Sequence, residues 1–437
     1  MKVLNTLYRF VPVKAYKRIN ECIKIDPPQF KYDIGEFYFI LDSFNRIPTN
    51  NKAIKYTKAG LITLSSTYFR RYITKNHASC LRWLENNNII VCDRVKKVGK
   101  SYAYNIKSEL NSEVKKIELD KNSNIAKRII IDRNRRRKKN HKKLSEEFKQ
   151  MKALFKKKCK IDADKALAYI EKELKKGEIN INQYNRSYIS INLIKDGNLY
   201  FKQNKTNNRV DSNLTNLRKD LKQFLIERDF QIDCINSQPS LINFITEFTL
   251  NLNNKGSSLG ENVDNIIMNH LTQKELSYLK KAPFADEIAK AEYDRFRNDT
   301  LRGDIYLKLQ NQFQKYYGKN ISRREMKTLI FKVFFSNNYS CLQEKEIFKR
   351  SYPIIYQIIY NIKKHKHNSL ALCLQNIESH IFIGRICKQL CKEGIVPMTI
   401  HDSVLVPEKD IERTVEIMKN VYSEILNDTP TFKIESL

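Results

Sequence analysis

Two aspartates stand inside apolar, β-prone runs at distant points of the chain: Asp233 in FQIDCINSQPS (230–240) and Asp402 in PMTIHDSVLVP (397–407). A carboxylate within a strand costs desolvation energy unless it lies at an exposed edge or is neutralised by a cation. Two such carboxylates on different strands suit hard divalent cations, which want oxygen ligands. Mg²⁺ usually takes one or two protein carboxylates and completes its shell with substrate phosphates. Taken alone, a His-Asp pair such as His401-Asp402 is more often a satisfied structural pair. FQIDCINSQPS reads as a strand leading into Asp233 and then a turn at Pro239, and PMTIHDSVLVP as one β-run with the pair in its middle.

Between the two aspartates lies ISRREMKTLIFKVFFS (321–336), in which Arg323, Lys327, Phe331 and Phe335 recur every four residues and so share one helix face. Such a face can hold a triphosphate with its cations and stack a base on its aromatics. The same spacing also suits an ordinary amphipathic helix, with the rings in the core and the cations in water. Charge bears on the choice: Lys and Arg number 80 against 48 Asp and Glu, a net +32 over 437 residues. That excess predicts a polyanionic partner, and nucleic acid comes first because no stretch approaches the ~20 apolar residues of a membrane span. Residues 1–20 lack an apolar core and a small-residue cleavage site, which predicts a cytoplasmic protein, nucleoid-associated or in a host cytoplasm. The nine cysteines are scattered without a CxxC pair and read as reduced thiols. Cys387 and Cys391, with His380 nearby, lack a second ligand pair for zinc and read as buried thiols, while His365 and His367 belong to an exposed basic patch. No GxxxxGK[ST] sequence is present, which argues against an ATP-driven helicase, and the N-terminal half shows no acidic quartet for a proofreading nuclease.

Towards the N-terminus, TLSSTYFRRYI (63–73) predicts a helix capped by Ser65 or Ser66, and a second helix carries Ala78, Leu81, Trp83 and Leu84. IIVCD (89–93) and YAYNI (102–106) read as strands around the basic turn KKVGKS (96–101). Two helices followed by a basic hairpin resemble a winged helix-turn-helix. The resemblance implies either DNA contact, through Arg70, Arg71, Lys75, Lys97 and Lys100, or docking of a protein partner. Residues 127–160 form a charge run that includes Arg135, Arg136 and Arg137. Within it Leu144, Phe148, Met151, Leu154 and Phe155 fall at spacings of three and four, predicting a basic amphipathic helix that tracks phosphates without reading sequence. ADKALAYIEKELKKG (163–177) predicts a helix closed by Gly177.

The order Asp233, then R-x₃-K-x₃-F-x₃-F-S, then His401-Asp402 resembles motifs A, B and C of the family A DNA polymerases and the related phage-type single-subunit RNA polymerases. NLTNL (213–217), GDIY (303–306), Tyr352-Pro353 and LQNIES (374–379) are similar to shorter family segments in the same order. The resemblance implies an α+β right-hand polymerase fold, with an antiparallel palm sheet and helical fingers and thumb, plus the small winged-helix domain. It divides the chain into an N-terminal segment (1–44), the winged module (45–110), a basic helical thumb-like region (111–227) and a palm (228–437) with fingers inserted at about 265–345.

Carried over residue by residue, the resemblance implies that Asp233 and Asp402 bind two Mg²⁺ ions, for which Mn²⁺ can substitute, with the backbone carbonyl of Cys234 as a further ligand. Arg323 and Lys327 would clamp the nucleoside triphosphate, Lys327 serving as proton donor to pyrophosphate. Phe331 would flank the sugar, Phe335 the templating base, and Gln238 would occupy the position of the sugar gate. Arg209, Gln375 and His401 would contact the primer–template DNA. Two features point to RNA synthesis or leave it open: Ser403 follows Asp402, where DNA enzymes carry Glu, and Gln238 replaces the gate Glu. Phe335-Ser336 lacks the tyrosine that helps RNA enzymes select ribose. Phe331, GDIY and NLTNL are closer to the DNA enzymes, so the expectation is a compact DNA polymerase of a phage or mobile element, with a replication partner reached through the winged module. The alternatives are an RNA polymerase or primase of the same fold, and a non-catalytic DNA-binding replication initiator.

Overall fold

The computed structural model describes residues 7–50, 57, 59–73, 76–94, 101–141, 145–227, 229–253, 261–281, 287–400 and 402–436. Two compact units emerge, one formed by residues 1–145, 158–200 and 212–227, the other by 146–157, 201–211 and 228–437. Both combine many helices with small antiparallel sheets, a mixed α+β composition.

In the first unit β1 (Tyr8–Pro12) is buried at all five positions and leads into helices Val13–Ile25 and Ile34–Asn50. β2 (Ile62–Thr63) precedes helices Ser66–Tyr72 and His77–Asn86, and β3 (Ile90–Cys92) and β4 (Ala103–Ile106) then complete a sheet of order β2-β4-β3. Ser65 is the cap of the first of these two helices, its side chain accepting from the Tyr68 N–H. β5 (Val114–Glu118) returns to pair antiparallel with β1, from Tyr8 opposite Glu118 to Pro12 opposite Val114. Phe37, Ile40 and Leu41 share one apolar core with Phe69, Trp83, Leu84 and Ile106, and the Phe37 and Trp83 rings lie 4.9 Å apart.

The positions 44/45 and 110/111, expected as boundaries from sequence, both fall within the first unit. Helix Ile34–Asn50 runs through the former, and the β1–β5 ladder ties the segment after the latter back to the N-terminus. The charge run is helical over Asn124–His141. Helix Ala163–Lys175 ends at Gly177, whose φ of +72° lets the chain fold back so that Gly177 N–H reaches Leu174 O at 3.0 Å and Glu178 N–H reaches Glu173 O at 3.0 Å.

In the second unit, helix Glu146–Lys158 buries Phe148, Met151 and Phe155, as its spacing predicts; Leu154 is half-buried and Leu144 lies outside the described residues. Phe148 and Phe155 pack on Phe201 at 5.1 and 5.2 Å, on the hairpin of β6 (Phe201–Gln203) and β7 (Val210–Ser212). The main sheet has the order β11-β8-β10-β9, all antiparallel, built from β8 (Phe230–Cys234), β9 (Met398–Ile400), β10 (Ser403–Val406) and β11 (Phe432–Ser436). Its strands β8 and β9 are separated in sequence by the helices from Ser237–Asn253 to Cys387–Lys392. Ile232, Val404 and Val406 share a core with Phe244, Ile245, Ile377, Met418 and Tyr422.

Two local expectations change here. PMTIHDSVLVP is not one strand but two paired antiparallel, Met398–Ile400 and Ser403–Val406, with Ile400 opposite Ser403. Pro239 lies within the first turn of helix Ser237–Asn253 instead of making a turn, because the first helical N–H groups have no acceptor and a missing one costs nothing. None of the nine cysteines is disulfide-bonded, and Cys387 and Cys391 are buried. Among the described residues no helix is long and apolar enough to cross a membrane.

Candidate carboxylate site

Alternation along β8 decides where Asp233 points. Ile232 and Cys234 are buried in the core, so Gln231 and Asp233 occupy the other face of the pleat and are only half-buried. Asp233 pairs with Ser403 on β10 and with Lys433 on β11. Asp402, immediately before Ser403, therefore enters the β9–β10 connection beside Asp233. The electrostatics agree: the Asp233 carboxyl is pushed up to about 7, chiefly by burial and next by the charge of Asp402, with Lys327 pulling the other way. Asp233 Oδ1 is buried and finds no hydrogen-bond partner among the described residues.

A third acid belongs to this neighbourhood. Glu378, on helix Ser369–Ser379, is 0 % exposed. Its Oε2 accepts from Arg209 Nη2 at 2.5 Å and from Gln238 Nε2 at 2.6 Å, and its Oε1 has no partner among the described residues. Burial pushes its carboxyl up to about 7, with Arg209 lowering it and Asp402 raising it. The helix widens into a π-helical segment, His380–Ile386, directly after this position. Sequence reading passed over Glu378 although LQNIES contains it. The available signal was its spacing of four from Leu374 and from Phe382, both buried, which marks an acid on the apolar stripe.

Helix Arg323–Phe335 starts with a reciprocal cap between Ser322 and Glu325 and buries Met326, Leu329, Ile330, Val333 and Phe334. The row Arg323, Lys327, Phe331, Phe335 lies off that stripe. Both cations are exposed and both rings half-buried, so the rings are not interior residues of the core, although Phe335 packs against its edge. Arg323 sits over the Tyr306 ring at 5.2 Å, Lys327 lies 5.6 Å from the Phe331 centroid, and Phe331 meets Phe335 edge-on at 5.6 Å. Tyr306 belongs to GDIY, whose Gly303 has a φ of +93°.

Asp233, Asp402 and Lys327 are thus brought within electrostatic reach of one another, and Gln238 and Arg209 converge on Glu378. Gln375 accepts from Asn207 Nδ2 at 3.0 Å. Burial pushes the Cys234 thiol up, and a hydrogen bond with Tyr422 works the other way. His401, Lys75, Lys97 and Lys100 lie outside the described residues. Arg70 and Arg71 are exposed in the last turn of Ser66–Tyr72 and Arg135 is exposed on Asn124–His141, all in the first unit; Arg136 and Arg137 lie on that same helix, with side chains outside the described set.

Hard oxygen donors, an orphaned buried carboxylate oxygen and two like charges held side by side fit a divalent cation. Among the described residues no group of three or more His, Cys, Asp and Glu is placed to hold a metal ion. Fold and site together describe a helix-rich α+β protein with a carboxylate pair at the end of an antiparallel sheet. No protein-family model matches the chain, and no curated protein does. Among solved structures it is similar to the POL domain of Pol1 from M. smegmatis in complex with DNA primer-template and dNTP, at 11% identity and a TM-score of 0.26, over 61% of this chain and 54% of that one. The chain thus spans about half the length of that structure.

Proposed function

We propose that this protein is a template-directed nucleotidyltransferase, a compact family A-like DNA polymerase that extends a 3′-hydroxyl in the replication of a phage or mobile element. The carrying observation is the Asp233–Asp402 pair at neighbouring strand ends, with Lys327 in its field. Asp233 and Asp402 would hold divalent cations, two Mg²⁺ or Mn²⁺, aided by the Cys234 carbonyl. Bound there, such ions lower the pKa of a primer hydroxyl and stabilise charge on departing pyrophosphate.

The chain's own groups do the rest. Arg323 and Lys327, exposed and stacked on Tyr306 and Phe331, bind the triphosphate, and Lys327 hands a proton to the leaving group. Phe331 flanks the sugar and Phe335 the templating base. Gln238, held by Glu378, lines the sugar side, and Arg209 is anchored by the same carboxylate while it faces backbone phosphate. Gln375 and His401 meet the primer end. In the first unit, the helix pair and hairpin of 62–106 act as a winged module. Arg70, Arg71, Lys75, Lys97 and Lys100, together with Arg135, Arg136 and Arg137, grip DNA there in a salt-sensitive way or seat a replication partner.

Ser403 favours a second reading, an RNA polymerase or primase: its hydroxyl is buried and donates to Ile400 O at 2.7 Å, so no acid follows Asp402 at this turn. Primer extension with dNTPs and NTPs, with and without primer, separates the two. Asp233→Ala and Asp402→Ala abolish incorporation while DNA binding is retained. DNA binding by the native protein with no incorporation of either nucleotide would instead identify a non-catalytic initiator.

A further inference from the structure

A cavity of about 180 Å³ in the first unit is lined by Tyr8, Arg9, Arg46, Arg133, Asn198 and Tyr200, with Leu7 and Leu193. Three of these are guanidinium groups, and among the described residues no carboxylate lines the space, although Asp196 reaches the Tyr8 hydroxyl. Four elements deliver the set: β1 and the residue before it, helix Ile34–Asn50, helix Asn124–His141, and the end of helix Ile181–Lys195 with the chain that follows.

Arg9 is the unusual member. It is 7 % exposed, and its Nε has no hydrogen-bond partner among the described residues. One Nη donates to Tyr8 O at 2.8 Å, and the guanidinium lies over the Phe39 ring at 5.2 Å. The buried acid behind the cavity, Asp42, is committed elsewhere. It accepts from the Phe10 N–H at 2.9 Å and from Arg46 Nε at 2.6 Å, and stands 3.6 Å from Arg9 Nε, an ion pair too long for a hydrogen bond. One carboxylate therefore faces two guanidinium groups. Burial pushes Arg9 down to about 10, with Asp42 opposing the shift and, less strongly, Arg46 adding to it. Arg133 enters from a different helix and donates to Asn198 Oδ1 at 2.9 Å, while Asn198 donates to the Tyr8 hydroxyl at 2.7 Å.

A purely structural cluster would balance its charge, since an uncompensated buried cation is costly. Converging guanidinium donors with a cationic excess, in a space large enough for a tetrahedral anion and bordered by tyrosines, instead match bidentate recognition of phosphate. We infer that this cavity is a binding site for a phosphate group, carried either by the 5′ end of a nucleic acid strand or by free phosphate or a nucleotide. The site lies wholly within the first unit and does not depend on polymerase activity in the second.

The test uses the full chain. Inorganic phosphate, compared with chloride at equal ionic strength, raises the melting temperature of the native protein and gives a saturable isotherm by calorimetry. Arg133→Gln, at the half-exposed edge of the cavity, weakens that binding about tenfold or more, the range for loss of a charge-assisted bond. Lys121→Gln, an exposed charge that does not line the cavity, changes it less than about twofold. Single strands of one sequence with a 5′-phosphate or a 5′-hydroxyl identify the source. Preference for the phosphorylated strand, lost in Arg133→Gln, points to a nucleic acid end; equal binding of both strands alongside phosphate binding points to the free anion. A native protein that does not respond to phosphate, or equal weakening by Arg133→Gln and Lys121→Gln, overturns the site. The thermal shift of the native protein decides the matter even if Arg133→Gln fails to fold.

Discussion

Ser403 stands opposite Asp233 across β8 and β10, and the residue before it, Asp402, supplies after burial the largest influence holding the Asp233 carboxyl at about 7. Two like charges fixed this close, one with an oxygen that finds no donor among the described residues, form an unbalanced arrangement that a cation relieves.

Metal titration follows directly. Mg²⁺ or Mn²⁺ added to EDTA-treated protein raises the melting temperature, since a ligand at 100 times its Kd stabilises by about 2.7 kcal/mol. Asp233→Asn or Asp402→Asn removes most of that rise in differential scanning fluorimetry. An undiminished rise in both variants places the ions elsewhere.

The two cations of helix Arg323–Phe335 divide kinetically. On the proposed function Lys327, which lies in the field of Asp233, acts on the leaving group, and Lys327→Ala is then expected to lower kcat about 10²-fold, the usual worth of a positioned proton donor. Arg323→Ala mainly raises the KM for nucleotide. Steady-state incorporation assays read both, and equal effects on kcat and KM from both variants contradict this division.

Glu378→Ala leaves the Arg209 guanidinium and the Gln238 amide without their buried partner. A loss of about 3 kcal/mol is expected, as for other broken buried ion pairs, read as an earlier urea midpoint. Glu378→Gln keeps an acceptor and loses less.

Lys363 gives a pH signature. Buried at 4 % exposure, it donates to Val333 O and Ser336 O at the C-terminal end of helix Arg323–Phe335. Burial, with Lys345 as a second cause, pushes its ammonium from 10.5 down to about 7. Between those two values the unfolded chain holds the proton and the folded chain does not. Stability therefore rises with pH from about 7 towards 10.5, by up to about 1.4 kcal/mol per unit. The same advantage is absent below pH 7, where both states are protonated. Denaturation midpoints measured from pH 6 to 10 show this slope in the native protein and not in Lys363→Met.

Local patterns were readable. The four-residue ladder of 323–335, the burial of Phe148, Met151 and Phe155, the Ser65 cap and the Gly177 stop all depend on contacts within one or two helical turns, which spacing encodes. Less readable was the hairpin in 397–407. Apolar residues on both sides of His401-Asp402 make one continuous β-like run, and only the pairing of Ile400 with Ser403 breaks it in two. Glu378 escaped because helix Ser369–Ser379 looks merely apolar until Arg209 and Gln238 arrive from other elements.

By itself the sequence determined where most helices run, which helix faces carry cations, and that acids are scarce in a chain of net +32. Tertiary structure alone decided that Asp402 meets Asp233, that β11 closes the other side of β8, and that Arg9, Arg46 and Arg133 surround one cavity. The division is physical. Propensity and periodicity act over a few residues, whereas strand register and the desolvation that shifts a carboxyl or strands a guanidinium depend on neighbours supplied by distant segments.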